Sequence, residues 1–189
     1  IYTETYQNKT NSTFIERYVA KAMGLTGIEF FKGDQISIKN IEGSQVAEVI
    51  AFNHTGNCSP ESLGQKSNGD ATFAKGVLSN ESEQNYLLSR LKKKNIDFHK
   101  AHSIDLFDQE TIAGTVEEFT CENDGFIIIA APGTNMSVES QNPPTDLEVS
   151  IKRLNKFNNK SNYYLPPPLA EIKEEFIVNQ STAISYEVE

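Results

Sequence analysis

Gly33-Asp34-Gln35-Ile36-Ser37-Ile38-Lys39-Asn40-Ile41, followed by Glu42-Gly43-Ser44 and then Gln45-Val46-Ala47-Glu48-Val49-Ile50-Ala51-Phe52-Asn53, is the stretch on which the reading of this chain turns. Two runs rich in β-branched residues flank a short connection that contains glycine, and this arrangement predicts a β-hairpin. In the second run Val46, Val49, Ile50 and Phe52 are apolar while Gln45, Glu48 and Asn53 are polar, the pattern of a strand with a buried face. No catalytic chemistry follows from the pattern itself. It indicates a β-rich globular domain.

Upstream, residues 1–20 are polar and rich in Thr and Asn, with Phe14, Ile15, Tyr18 and Val19 as the candidates for packing. Downstream, His54 to Thr72 reads as a long loop, with Gly56, Pro60, Gly64 and Gly69 among several Ser and Asn. From Ser82 the pattern turns helical. Tyr86, Leu87, Leu88 and Leu91 form one face, Ser79 or Ser82 is available as N-cap, and Lys92-Lys93-Lys94 close the end. Strands return at Thr115 to Cys121 and at Phe126 to Ala131, and the Asp124-Gly125 turn between them predicts a second hairpin. Thr145 to Leu154 alternates again, with Leu147, Val149 and Ile151 on one face. Several strands and one clear helix predict a β-rich α+β domain over 1–154, built as a distorted β-sandwich or barrel. Residues 155–170, with Pro166-Pro167-Pro168, read as a linker. Residues 171–189 turn β-like, and Ala183 to Glu189 echoes the Gly27-Ile28-Glu29-Phe30-Phe31 that precedes Gly33-Asp34, so a second copy of the domain is expected to begin there.

At 189 residues the chain can bury an ordinary core without disulfides or metal. Its net charge of −9 disfavours nucleic acid or an anionic membrane as partner, since both call for a clustered basic face. The longest apolar run, Phe126 to Ala131, has the length of one strand and falls far short of a membrane span. Two cysteines do not make a disulfide framework, so a reducing, cytoplasmic setting is the default. Asn-x-Ser/Thr triplets at Asn8, Asn11, Asn53, Asn57, Asn80, Asn135, Asn159 and Asn179 are what a secreted glycoprotein would carry, and also what an Asn- and Ser-rich composition yields by chance.

Few residues offer chemistry. His54 and Cys58 lie close together in the long loop, yet a zinc signature would show a second closely spaced pair. Cys121 sits in an alternating strand, where a small apolar side chain needs no further role. His99 and His102 are three apart, with Asp97, Asp105 and Asp108 nearby; on a helix they would share a face and could bind metal or move protons. Polar surface accounts equally for the same residues. The chain has no nucleophile elbow, phosphate loop, dinucleotide fingerprint or His-Glu-x-x-His motif.

Gly33-Asp34 and Ile41-Glu42-Gly43-Ser44-Gln45-Val46-Ala47-Glu48, ending in Ala51-Phe52-Asn53, resemble the opening of the urea-carboxylase-associated (DUF1989-type) domain family. Asp124 to Pro132 and Pro143 to Val149 are similar to its later conserved regions. In proteins of one-carbon metabolism, two such domains precede a folate-binding aminomethyltransferase domain. The resemblance therefore implies the N-terminal, scaffold domain of a metal- and tetrahydrofolate-dependent N-demethylase. Zinc or iron and tetrahydrofolate would be cofactors of the whole protein, and no cofactor is expected in this part. Its partners would be a second DUF1989-like copy and the folate-binding domain, with homo-oligomerisation left open. Where the family carries Cys-Pro this chain has Ala131-Pro132, and the family's His-x-Asn-Cys motif is missing, so the resemblance brings no catalytic residue with it. The alternative is a freestanding, non-catalytic module of the same family that binds a small molecule.

Overall fold

The computed structural model of the protein describes residues 14–79, 85–133 and 143–154. The expected linker and second copy, 155–189, lie outside the described residues. Eight strands and two helices are present among those described: β1 (Phe14–Ala20), β2 (Leu25–Phe30), β3 (Gln35–Asn40), β4 (Ala47–Asn53), α1 (Thr72–Ser79), α2 (Asn85–Lys93), β5 (Ile104–Leu106), β6 (Val116–Thr120), β7 (Gly125–Ala130) and β8 (Leu147–Arg153). The strands form two four-stranded sheets in the orders β1-β8-β3-β6 and β2-β7-β4-β5, and all their pairings are antiparallel. Neither sheet closes on itself, so of the two expected forms the chain adopts the sandwich.

The strands lie close to their expected positions, but neither expected hairpin forms. β3 pairs with β6 and β8 in one sheet, while β4 pairs with β5 and β7 in the other. Likewise β6 and β7, joined through Asp124-Gly125, belong to opposite sheets. The burial patterns explain this. β3 buries Ile36 and Ile38 but leaves Gln35 exposed and Ser37 and Lys39 half-buried, as a strand with one solvated face does. β4 buries Val49 and Ala51 on one side and Ile50 and Phe52 on the other, and β7 buries residues 126–130 without a break. Strands apolar on both faces need cover on both faces. A β3–β4 hairpin would place Ile50 and Phe52 on a wet surface.

The cover comes from the segment between β4 and β5. Ala74 and Leu78 of α1, Leu87, Leu88 and Leu91 of α2, and Ile96 and Phe98 pack on Leu25, Ile50, Phe52, Phe126 and Ile128. The molecule thus has three layers: the wet sheet, the doubly covered sheet, and helices. Gly27 is what lets α2 come down onto β2, because a Cβ there would sit 2.6 Å from Leu87 Cδ1 and 2.8 Å from Phe126 Cζ. Helix α1 begins where the segment read as a loop, His54 to Thr72, ends. Gly76 in its middle weakens its intrinsic tendency, and tertiary contacts make it helical. β1 lies in the polar start of the chain and is fixed by its full register with β8, from Phe14–Arg153 to Ala20–Leu147.

The registers also define two ends. Asn40, Ala47, Ala130 and Leu147 mark one, and Gln35, Asn53, Gly125 and Arg153 the other.

Candidate functional site

The motif block at the Asn40 end turns its polar groups inward. Asn40 is fully buried; its Oδ1 accepts the Gly43 N–H at 2.9 Å and its Nδ2 donates to the Gln45 carbonyl at 2.9 Å. Gly43 has φ +86° and backs onto Thr111 to Ala113, where an added Cβ would lie 2.7 Å from the Ala113 nitrogen. Only glycine meets both conditions without strain. Gln45 donates from Nε2 to the carbonyls of Val46 (2.7 Å) and Pro132 (2.8 Å) and accepts the Thr145 N–H at Oε1 (2.7 Å). One amide therefore ties together the chain after β7 and the chain before β8. Beside it Asp146 accepts from Lys21 Nζ at 2.7 Å and from the Ala22 N–H at 2.9 Å. Partial burial alone would raise the Asp146 pKa, but these bonds outweigh it and hold the carboxyl below its ordinary value. Glu48 reaches from β4 across to α1, accepting the N–H groups of Phe73 (3.0 Å) and Ala74 (2.8 Å). Its carboxylate satisfies two donors that a helix start leaves open, and its charge suits the positive end of the helix dipole.

At the opposite end Asp34 anchors a buried ionic cluster. Arg153 donates from Nη1 to Asp34 and from Nε and Nη2 to Glu16 at 3.0 and 2.6 Å. Side-chain exposure is 8% for the guanidinium and 2% for each carboxylate, so all three charges are withdrawn from water. Asp34 also accepts the N–H groups of Phe31 and Leu154, and Tyr18 donates to Glu16. Burial disfavours the Arg153 charge, but the bonds to Glu16 and then Asp34 outweigh it and raise the Arg153 pKa. Cys121 lies in the core next to this cluster. Burial first, and the Asp34 charge second, push its thiol up to about 12, so at neutral pH it is a protonated core side chain.

Beside the cluster opens a cleft of roughly 380 Å³ lined by Glu29, Phe31, Asn53, His54, Lys93 and Lys94, with Phe126 behind them. Lys94 Nζ is 2.6 Å from Glu29 Oε1 and 5.9 Å from the centre of the Phe126 ring. Phe31 is 40% exposed in the cleft and lies under the Arg153 guanidinium at 5.5 Å.

The candidate residues from the sequence are scattered. His54 is exposed in this cleft, and Cys121 lies in the sandwich core. Cys58 and His102 do come together, but through the backbone: the Cys58 sulfur accepts the His102 N–H at 3.3 Å. His102 Nδ1 is 3.6 Å from Asp70, both well exposed. His99 and His102 do not share a helix face, since the 3-10 turn there covers only Phe98–Lys100 and His102 lies beyond it. The nearby carboxylates serve locally: Asp97 accepts the His99 N–H, Asp105 bonds Ser103, and Asp108 closes a turn with Glu110 and Thr111. Among the described residues no three His, Cys, Asp or Glu side chains form a cluster that could hold a metal ion. Ala131, where the resemblance expects cysteine, is a fully buried methyl in the core. The donor set of the described residues does not fit a metal.

The sequence reading missed Glu16 and Arg153. A signal was available in β8, where the inward series 147, 149, 151 continues to Arg153. An inward arginine requires a buried carboxylate partner.

No family model matches the chain. It is 31% identical over 172 residues to the trimethylamine-oxide aldolase of Ruegeria pomeroyi, a match that covers 90% of this chain and 22% of the aldolase. The chain thus spans about a fifth of the length of that relative. A solved DUF1989 family protein from Silicibacter pomeroyi aligns over 72% of this chain and 76% of its own, with a TM-score of 0.46 and 13% identity. In its motifs the chain resembles the DUF1989-type domains, and over nine-tenths of its length it is similar in sequence to one stretch of a trimethylamine-oxide aldolase.

Proposed function

We propose that this chain is a scaffold domain of a larger enzyme that acts on trimethylamine oxide or a closely related N-methylated amine. The observation that carries the reading is the direction of the motif's polar groups. Asp34, Asn40, Gln45 and Glu48 are engaged in internal hydrogen bonds that fix turns and a helix start. Groups fixed in this way stabilise a fold and present nothing to a substrate. The similarity to the aldolase supplies the substrate class. Metal and tetrahydrofolate, where the whole enzyme uses them, would be held by parts other than the described residues.

Two assays test this. The purified chain, incubated with trimethylamine N-oxide and watched for formaldehyde, should show no turnover and no stoichiometric metal. Turnover that disappears in Cys58→Ser or Cys121→Ser would overturn the reading. In the Ruegeria pomeroyi aldolase, deleting the matched stretch should cost folded enzyme, and installing this chain in its place should restore it. An aldolase that keeps full activity without the stretch would also sink the scaffold role.

A further inference from the structure

The outer edge of β5, the last strand of its sheet, is met by a side chain. Asn68 Oδ1 accepts the Asp105 N–H at 2.6 Å and Asn68 Nδ2 donates to the Asp105 carbonyl at 3.2 Å. One carboxamide thus serves both backbone groups of one residue, as a neighbouring strand would. The backbone completes the seam. The N–H groups of Asn68 and Gly69 both donate to the Ser103 carbonyl, at 3.0 and 3.1 Å, and the Ser103 N–H donates to the Gly69 carbonyl at 2.9 Å. The buried Ser103 Oγ then accepts the Ala71 N–H at 2.9 Å, immediately before α1 begins at Thr72.

Asn68-Gly69 is also the one Asn-Gly pair in the chain. The fold accounts for the glycine, because a Cβ at position 69 would run into the Asp105 carboxylate. The same missing side chain leaves the Gly69 nitrogen uncrowded on the side of the preceding carboxamide. Asn68 itself is exposed to water. While the seam is closed both groups are engaged, the Gly69 N–H with the Ser103 carbonyl and the Asn68 carboxamide with Asp105. Opening the seam frees the two together.

We propose that Asn68 is a site of non-enzymatic deamidation, gated by opening of this seam, and that the product prevents the seam from closing as before. The Gly69 nitrogen bonds to Asn68 Cγ, the Cγ–Nδ2 bond breaks, and ammonia leaves with the proton from the Gly69 nitrogen. Water then opens the cyclic imide at either of its carbonyls, giving aspartate or isoaspartate. Nothing is oxidised or reduced. Either product replaces the Nδ2 donor with a carboxylate, so the Asp105 carbonyl loses its partner and a new negative charge stands near the Asp105 side chain. The inference stands independently of the scaffold reading.

Peptide mapping by mass spectrometry, on the full chain held at mildly alkaline pH with and without urea, tests it. Asn68 should convert ahead of every other asparagine and give both products. Conversion should be roughly tenfold or more slower in the native chain, because at least two hydrogen bonds must first break there. Asn68→Asp, an exposed substitution checked by circular dichroism for retained fold, should speed hydrogen exchange in residues 69–71 and 103–106 and leave β3, β7 and β8 as they were. An Asn68 that stays an amide in urea while other asparagines convert would overturn the proposal. So would equal rates in the native and unfolded chains, or exchange in Asn68→Asp indistinguishable from the wild type.

Discussion

Arg153 is the residue whose loss should be felt most. It stands between Glu16 and Asp34, both nearly sealed from water, and replacing it leaves two like charges buried without a counter-ion. Removing one member of such a cluster costs about 3–5 kcal/mol, so Arg153→Met should lower the urea-unfolding free energy by that amount. A change under about 1 kcal/mol, the range of exposed ion pairs, would show that water reaches the cluster. At the other end Asp146 gives a pH-dependent prediction. Its folded pKa is lowered, so its stabilisation is present above the ordinary carboxylate value of about 4 and fades as pH falls through the folded value. The stability difference between the wild type and Asp146→Asn should therefore be clear at neutral pH and vanish in strong acid. Unfolding curves that stay equally separated at both extremes would contradict this. At this scale the sequence was legible only in part: Gly33-Asp34 and Ile41 to Glu48 stood out as a motif, but their partners Arg153, Thr145 and Pro132 are about 100 residues away along the chain.

The elements owe their form to different causes. α2 was legible because Leu87, Leu88 and Leu91 repeat at helical spacing and lysines follow. α1 was not, because its eight residues include Gly76 and its first turn is held by a side chain from β4. Glu48→Ala should therefore loosen α1 in particular. The loss of a helix-start acceptor costs about 0.5–2 kcal/mol, and hydrogen exchange should show faster exchange in Thr72 to Ser79 with β3, β6 and β8 unaffected. Uniform loss of protection over all elements would mean that the carboxylate supports the sheet and not the helix. The two expected hairpins failed at this scale for a common reason. A turn signature such as Glu42-Gly43-Ser44 or Asp124-Gly125 fixes a reversal of the chain, but it does not say whether the next strand pairs with the last or crosses to the facing sheet.

Seen whole, the molecule has its most protected elements in the middle layer. β4 and β7 are covered by the facing sheet on one side and by helices on the other, so their amides should exchange only on global unfolding. The order of protection expected from hydrogen exchange is β7 and β4 first, then β3 and β8, with β5 and α1 exchanging earliest. Fast exchange in Ile127 to Ile129 would refute the layered description. The sequence by itself determined a β-rich α+β domain, the positions of β3, β4, β7 and β8, the inward face of β8, and the motif that gives the family resemblance, because strand periodicity and turn chemistry are local properties. Only the tertiary structure decided which sheet each strand joined, that the Gly76-containing segment Thr72–Ser79 became α1, and that Glu16, Asp34 and Arg153 share one buried site. Those outcomes depend on which faces must be covered and which charges must be paired, and neither condition is met by residues adjacent in the chain.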